Sequence, residues 1–225
     1  MSVLLQNTKF GELSVDWEWW IGVNGHGPSG GPALEAAIQL VKKAGEAYRD
    51  RIHVVNMPVV RGKTAALNRL VEYSKGEWIA LLDCDDTWDR NKLMIQRAMA
   101  ANEAQGAAAI GSFCYYFGEF VSDGPMLPMG WIAPSIVANE NPIINSSVII
   151  KRAYARWEDR YGLEDYDLWI RLAKQGLYLY NVPLRLVHHR IHKGSAFNGT
   201  GRQDLAGLRA YHGLPDALKG RDTTP

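Results

Sequence analysis

From Asp16 to Val121 the chain alternates between two hydrophobic periodicities, and this alternation limits its fold more than any other feature. "DWEWWIGV" (16–23), "IHVVNM" (52–57), "EWIALLD" (77–83) and "AAAIGSFCYYFGEFV" (107–121) are rich in aromatic and β-branched residues and read as strands. Between them, "PALEAAIQLVKKAG" (32–45), "GKTAALNRLVEYSKG" (62–76) and "RNKLMIQRAMAANEAQG" (90–106) space their apolar residues for helices. Pro32 suits a first helical turn and Gly45 a C-terminal stop. Strand and helix alternating across short loops predict an α/β fold, a mostly parallel sheet with helices on both faces. In such sheets ligands gather at the carboxyl ends of the strands.

The second half changes character. Residues 122–143 carry several prolines and read as a long loop, and "NSSVIIKR" (145–152) as a strand. "GLEDYDLWIRLAKQG" (162–176) is an amphipathic helix with an acidic start, and "LYLYNVPLRLVHHRIH" (177–192) returns as short strands. One domain over 1–198, followed by a C-terminal helix and a frayed tail over 199–225, accounts for the whole chain. A length of 225 residues is enough for one sizeable core. The formal net charge of +1 supplies no field for nucleic acid or an anionic membrane. No apolar stretch approaches the roughly 20 residues of an integral membrane segment. Two cysteines, Cys84 and Cys114, suit a reducing compartment, so a cytoplasmic setting is expected.

The chemistry is concentrated in "LLDCDDTWD" (81–89). Like charges repel, yet Asp83, Asp85 and Asp86 crowd into four positions just past a strand. Residues i and i+2 of an extended chain project to one side, so Asp83 and Asp85 can converge. Oxygen ligands in that arrangement suit Mg²⁺ or Mn²⁺ shared with a substrate phosphate. A helix cap would need one such residue, not three. "DCDDT" also matches the D-x-D-x-T of haloacid dehalogenase-like phosphatases, with "IINSS" (143–147) and Lys151 as further parts. That motif normally opens its fold, whereas here about eighty residues precede it.

"RGKTAALNRLVEYSKGEWIALLDCDDTWDRNKLMIQ" (61–96) resembles the family-2 glycosyltransferases along its whole length. Their G-K-x-x-A-x-N helix, D-x-D-D strand end and K-L helix occur here in order. "INSSVIIKR" (144–152), "YGLEDYDLWIRLAKQG" (161–176) and "HHRIHKGSAFN" (188–198) resemble the family's acceptor-side strand, its E-D-Y-D-L-W helix and its closing R-x-H-x-x-S segment. The likeness covers most of residues 17–198.

The resemblance implies a single-domain GT-A fold. It implies inverting transfer of a sugar from a nucleoside diphosphate, a UDP-sugar above all, to an acceptor hydroxyl with Mn²⁺ or Mg²⁺. The acceptor would be a glycan, a lipid-linked molecule or a protein. By matching positions, Asp83 would contact the donor's ribose or sugar, Asp85 would ligate the metal, and Asp86 would support that site. Lys63, Asn68, Arg190 and Ser195 would lie on the donor side, and His192 would be a further ligand to metal or diphosphate. Asp165 would be the catalytic base, with Glu164, Asn145 and Trp169 on the acceptor side, Trp169 on the helix face that should be buried. Asp167 and Arg171, four residues apart, would pair.

Two departures stand out. Family members usually begin with an apolar strand, a turn and a helix, whereas "SVLLQNTKF" (2–10) resembles only the end of that helix. The N-terminal strand is therefore expected to be missing, leaving exposed sheet edges that favour self-association. Asn24 stands where the family usually carries an Asp against uracil. Weak donor binding, or a degenerate sugar-binding protein of the same fold, is the alternative these departures raise.

Overall fold

The computed structural model describes residues 2–10, 13–194 and 203–215. A short hairpin, β1 (Lys9–Phe10) and β2 (Leu13–Ser14), precedes β3 (Trp19–Asn24), α1 (Gly31–Ala44) and β4 (Ile52–Met57). Then come α2 (Lys63–Tyr73), β5 (Trp78–Ala80), β6 (Thr87–Trp88), α3 (Lys92–Ala101) and β7 (Ala109–Gly118). The second half adds β8 (Gly130–Ile132), α4 (Pro134–Asn139), β9 (Ile149–Lys151), α5 (Glu164–Lys174), β10 (Leu179–Ile191) and α6 (Leu205–Tyr211). Pro32 lies in the first turn of α1 and Gly45 closes it, as the sequence predicts.

The α/β architecture stands, but the main sheet is mixed. Its order is β5-β9-β7-β10-β6, with β8 beside β10 as well. β7 and β10 run parallel, while β5–β9, β7–β9, β10–β6 and β10–β8 are antiparallel. β3 and β4 form a separate parallel pair. Among the described residues no ladder joins β3 to β5, although their approaches lie together. The Glu18 carboxylate accepts from the backbone amides of Lys75 and Gly76.

Two expectations need correcting. The stretch 122–143 is not one long loop, because it contains β8 and α4. The stretch 177–192 is not several short strands but mainly one, β10, and its irregularity has a local cause. Pairing with β7 shifts register between Val182 and Arg185, across Pro183, which has no N–H to donate, and again between Arg185 and Val187.

Side chains alternate across the main sheet into two cores. Ala109, Ile150 and Leu179 face α5 with Trp157, Tyr166, Trp169 and Leu208. Ile110, Ile149 and Tyr180 face the other way, against Leu93, Ile95 and Met99 of α3. Helices on both faces were expected from the alternating pattern. At the cross-strand pair Gly111–Asn181 a Cβ on Gly111 would lie 2.3 Å from the Asn181 amide oxygen. The missing side chain leaves room for Asn181, which donates to the carbonyls of Pro128 and Pro142 and ties down the preceding segment.

A buried polar network fixes the turn Asn145–Ser147. Gln96 Nε2 donates to the carbonyls of Ile110 and Ser147, both at 2.8 Å, and its Oε1 accepts from Lys92 Nζ at 2.8 Å. Lys92 is fully buried, which pushes its pKa well down, and its amine lies 4.3 Å from the centre of the Trp88 ring. Trp88 donates its indole N–H to the carbonyl of Ser146. Gln96→Leu strands two carbonyls and the buried amine, so it should cost about 3 kcal/mol of stability. Adding Lys92→Met should restore part of that loss by removing the orphaned amine. Urea denaturation of the single and double variants measures both effects.

Candidate active site

Three sheet elements and two helix starts converge where β5 ends. The chain leaves β5 at Ala80 and reaches Asp83, whose backbone N–H donates to Ser146 Oγ at 3.1 Å. The Asp83 carboxylate accepts from Asn145 Nδ2 at 3.3 and 3.5 Å and pairs with Lys63 Nζ at 2.9 Å. Lys63 also reaches Glu164 at 3.4 Å. One ammonium therefore joins the end of β5 to the start of α5. Gly62, at φ 83, supplies the left-handed backbone that leads into Lys63, the first residue of α2.

Burial acts against the charges here, and the partners decide the outcome. Burial pushes the Asp83 carboxyl up, but Lys63, Asn145 and Ser146 more than offset this and hold it below its ordinary value. Burial would lower the Lys63 pKa, yet Asp83 and Glu164 raise it. Asp165 goes the other way: burial and the adjacent Glu164 raise it, against hydrogen bonds from Asn141 and its own helix start. The two carboxyl groups thus differ in character. Asp83 is held below its ordinary pKa by an ion pair, whereas Asp165 is raised above it.

The second half of the cluster faces β10. Asp86 is buried and accepts from the Arg190 backbone N–H at 2.8 Å. Its other oxygen lies 2.9 Å from His189 Nδ1, and this partner raises the His189 pKa against the lowering effect of burial. Asp86 thereby anchors the end of β10, from which the chain continues to His192. His192 Nε2 lies 3.0 Å from Asp85 Oδ2, and both side chains are about a third exposed, at 36% and 32%. A carboxylate and an imidazole converging on one open point make a donor pair that a divalent cation can share with a diphosphate and water. Among the described residues no group of three such ligands occurs, so a substrate oxygen would have to complete the shell.

Not every residue expected here takes the role the resemblance implies. Asn68 spends both ends of its amide on Trp157, donating to its carbonyl at 2.8 Å and accepting from its N–H at 2.9 Å. It is a clamp between α2 and the approach to α5, with one N–H and one lone pair of its amide used there. Trp169 is completely buried among the core side chains and cannot touch an acceptor. Asn145, expected on the acceptor side, is bonded to Asp83. Asn24 donates to the Gly62 carbonyl at 3.3 Å, just outside the Lys63 turn. Arg190 contributes its backbone to Asp86, and its guanidinium lies 5.7 Å from the centre of the Phe117 ring. Asp167 and Arg171 do pair, at 2.7 Å, but Asp167 is fully buried and also meets His212 at 2.9 Å. Ser195 lies outside the described residues.

Two residues went unnoticed in the sequence. His189 is adjacent to another histidine, and only the register of β10 shows which of them faces Asp86. Asn141 donates its Nδ2–H to Asp165 Oδ2 at 3.0 Å across a proline-rich stretch without a readable pattern.

Comparison with known proteins points to one family. A family model described as Glycosyl transferase family 2 matches residues 34–166. The chain is 28% identical over 177 residues to the Escherichia coli UDP-Glc:alpha-D-GlcNAc-diphosphoundecaprenol beta-1,3-glucosyltransferase WfaP, covering 72% of this chain and 68% of that protein. It is 27% identical over 164 residues to the amylovoran biosynthesis glycosyltransferase AmsB of Erwinia amylovora, covering 66% and 54%. Its fold is similar to that of the mannosyltransferase PcManGT from Pyrobaculum calidifontis, solved in complex with GDP-Man and Mn²⁺. That match has a TM-score of 0.58 at 16% identity and covers 88% of this chain and 53% of that one. The chain thus spans between about half and two thirds of the length of these relatives. Its matched region runs from α1 into α5 and contains Lys63, the carboxylate cluster and Asp165, and the chain belongs to glycosyl transferase family 2.

Proposed function

We propose that the protein transfers a hexose from a nucleoside-diphosphate sugar, a UDP-sugar first of all, to an acceptor hydroxyl with inversion. The observation that carries this reading is the Lys63 bridge from Asp83 to Glu164. It joins two sets of groups that an inverting displacement needs: a carboxylate cluster for the donor and a separate carboxylate, Asp165, for the incoming hydroxyl.

Asp85 and His192 would hold a divalent cation, Mn²⁺ or Mg²⁺, whose charge offsets that developing on the leaving diphosphate. Asp83, kept ionised by Lys63, accepts hydrogen bonds from donor hydroxyls. Asp86 works through the protein, holding the end of β10 and hence the approach to His192. Asp165 accepts the acceptor's proton as its oxygen attacks the anomeric carbon on the face away from the diphosphate. The raised Asp165 pKa suits this work, because a stronger base takes the proton more readily. The acceptor would be a glycan, lipid-linked or protein hydroxyl, and WfaP, named for a diphosphoundecaprenol-linked sugar, makes a lipid-linked saccharide the first to try. Among the described residues no helix is long and apolar enough to cross a membrane. A cytoplasmic setting suits the two free thiols. The edges of β3 and β5 that lack a ladder partner among the described residues are the surfaces for self-association.

A panel of UDP-, GDP- and dTDP-sugars with Mn²⁺, scored by nucleotide release, tests the reading. Turnover of none of them would leave the degenerate sugar-binding protein. Asp165→Asn should lower turnover by about 10²–10⁴ while donor affinity changes little. Asp85→Ala and His192→Ala should each weaken Mn²⁺ binding by about ten-fold or more in calorimetry. Activity requires ionised Asp165, so kcat/KM should fall as pH drops through its raised pKa. The acid limb should therefore lie above the ordinary aspartate value of about 3.9.

A further inference from the structure

We infer that Asn141 is a positioning residue for Asp165, clamping one carboxylate oxygen in place so that the ionised group faces the acceptor. This rests on the assignment of Asp165 as base. The contact is direct, Asn141 Nδ2 to Asp165 Oδ2 at 3.0 Å, and the other oxygen accepts from the backbone N–H of Tyr166 at 2.7 Å. Each oxygen thus has one donor from the protein and keeps a lone pair for a substrate proton. The plane of the carboxylate is set by two donors on different elements rather than by its own side-chain torsions.

What makes Asn141 a fixed donor rather than a mobile surface amide is the anchoring of its backbone on both sides. Upstream, the Val137 carbonyl accepts from the Tyr166 hydroxyl at 2.8 Å and the Asn139 carbonyl from Arg209 of α6 at 3.3 Å. Downstream, the Pro142 carbonyl accepts from buried Asn181 at 2.8 Å. Three elements (α5, α6 and β10) therefore hold the short stretch that carries the amide. The charged groups that face Asp165 are Glu164 on its own helix and Lys63 from α2. Glu140 and Arg209 face Tyr166 instead.

A donor on a carboxylate favours the ionised form, so its removal must show in the titration of Asp165. The experiment is a pH titration of the aspartate side-chain carbons by NMR in the full chain labelled at Asp, with Asp165→Asn assigning the signal. Asn141→Ala should move the Asp165 midpoint upward by about one unit. Asn141→Asp, which replaces the donor by a like charge, should move it at least as far. The acid limb of nucleotide release from UDP-glucose should shift with it, at unchanged KM. An unchanged midpoint in both variants overturns the inference, even if either of them lowers the melting temperature. Asn141 is exposed, so both variants should fold; Asn141→Ser, too short to reach the carboxylate, is the substitute if Ala does not. Full turnover in Asp165→Asn would instead remove the base assignment and leave the titration result standing.

Discussion

The site depends on one ammonium held between two carboxylates. Lys63 touches Asp83 at 2.9 Å and Glu164 at 3.4 Å, and these partners belong to opposite halves of the chain. Without that charge Asp83 would keep only its hydrogen bonds from Asn145 and Ser146, and Glu164 would lose its cation partner. Exposure of the pair, 44% for Lys63 and 29% for Asp83, keeps its worth to stability small. Its importance is geometric. It sets the spacing between Asp83 at the end of β5 and the start of α5, where Asp165 lies.

The second constraint is the parallel ladder between β7 and β10. It runs from Leu179–Ala109 to Ile191–Gly118 and delivers His189, Arg190 and then His192 to the carboxylate cluster. The interruption at Pro183 falls midway, and pairing resumes in time for Val187 and His188 to meet β6 as well. Asp86 closes the arrangement by accepting from both a side chain and a backbone N–H of β10. The buried Lys92–Gln96 network does the same service from the other side, fixing the turn from which Asn145 and Ser146 reach Asp83. The reacting groups are thus on short turns, but each turn is bonded to a buried strand.

Much of this was legible in the sequence because periodicity and spacing are local. Helices α1, α2 and α5 follow from apolar spacing, and Lys63, Asp83, Asp85, Asp165 and His192 could be picked out from motifs in a known order. What failed was whatever depends on where a side chain points once the chain has folded. Asn68 lies midway along α2, five residues beyond Lys63, and its amide turns back to the Trp157 backbone. Trp169 lies on the inner face of α5 as its place in the helix predicts, and that burial removes it from the acceptor side. Asn145 was assigned to the acceptor by its neighbours in sequence, whereas the turn that carries it bends toward Asp83. Antiparallel pairing was hidden for a similar reason, since strand direction is set by distant connections.

The division of the sheet has a mechanical consequence. β3 and β4 share a ladder with each other, and most of their residues are only half-buried. The β7–β10 core has its own deeper packing, and the two bodies meet through side chains such as Glu18, Trp17 and Trp19, and through α2. The backbone of β3 and β4 is therefore less deeply packed than that of β7 and β10. Asn24 and the Gly62 turn ride on the softer body, and Asp165 on the firmer one. Lys63, at the start of α2, ties Asp83 to Glu164, so a ligand anion that displaced either carboxylate would loosen the link between the end of β5 and the start of α5.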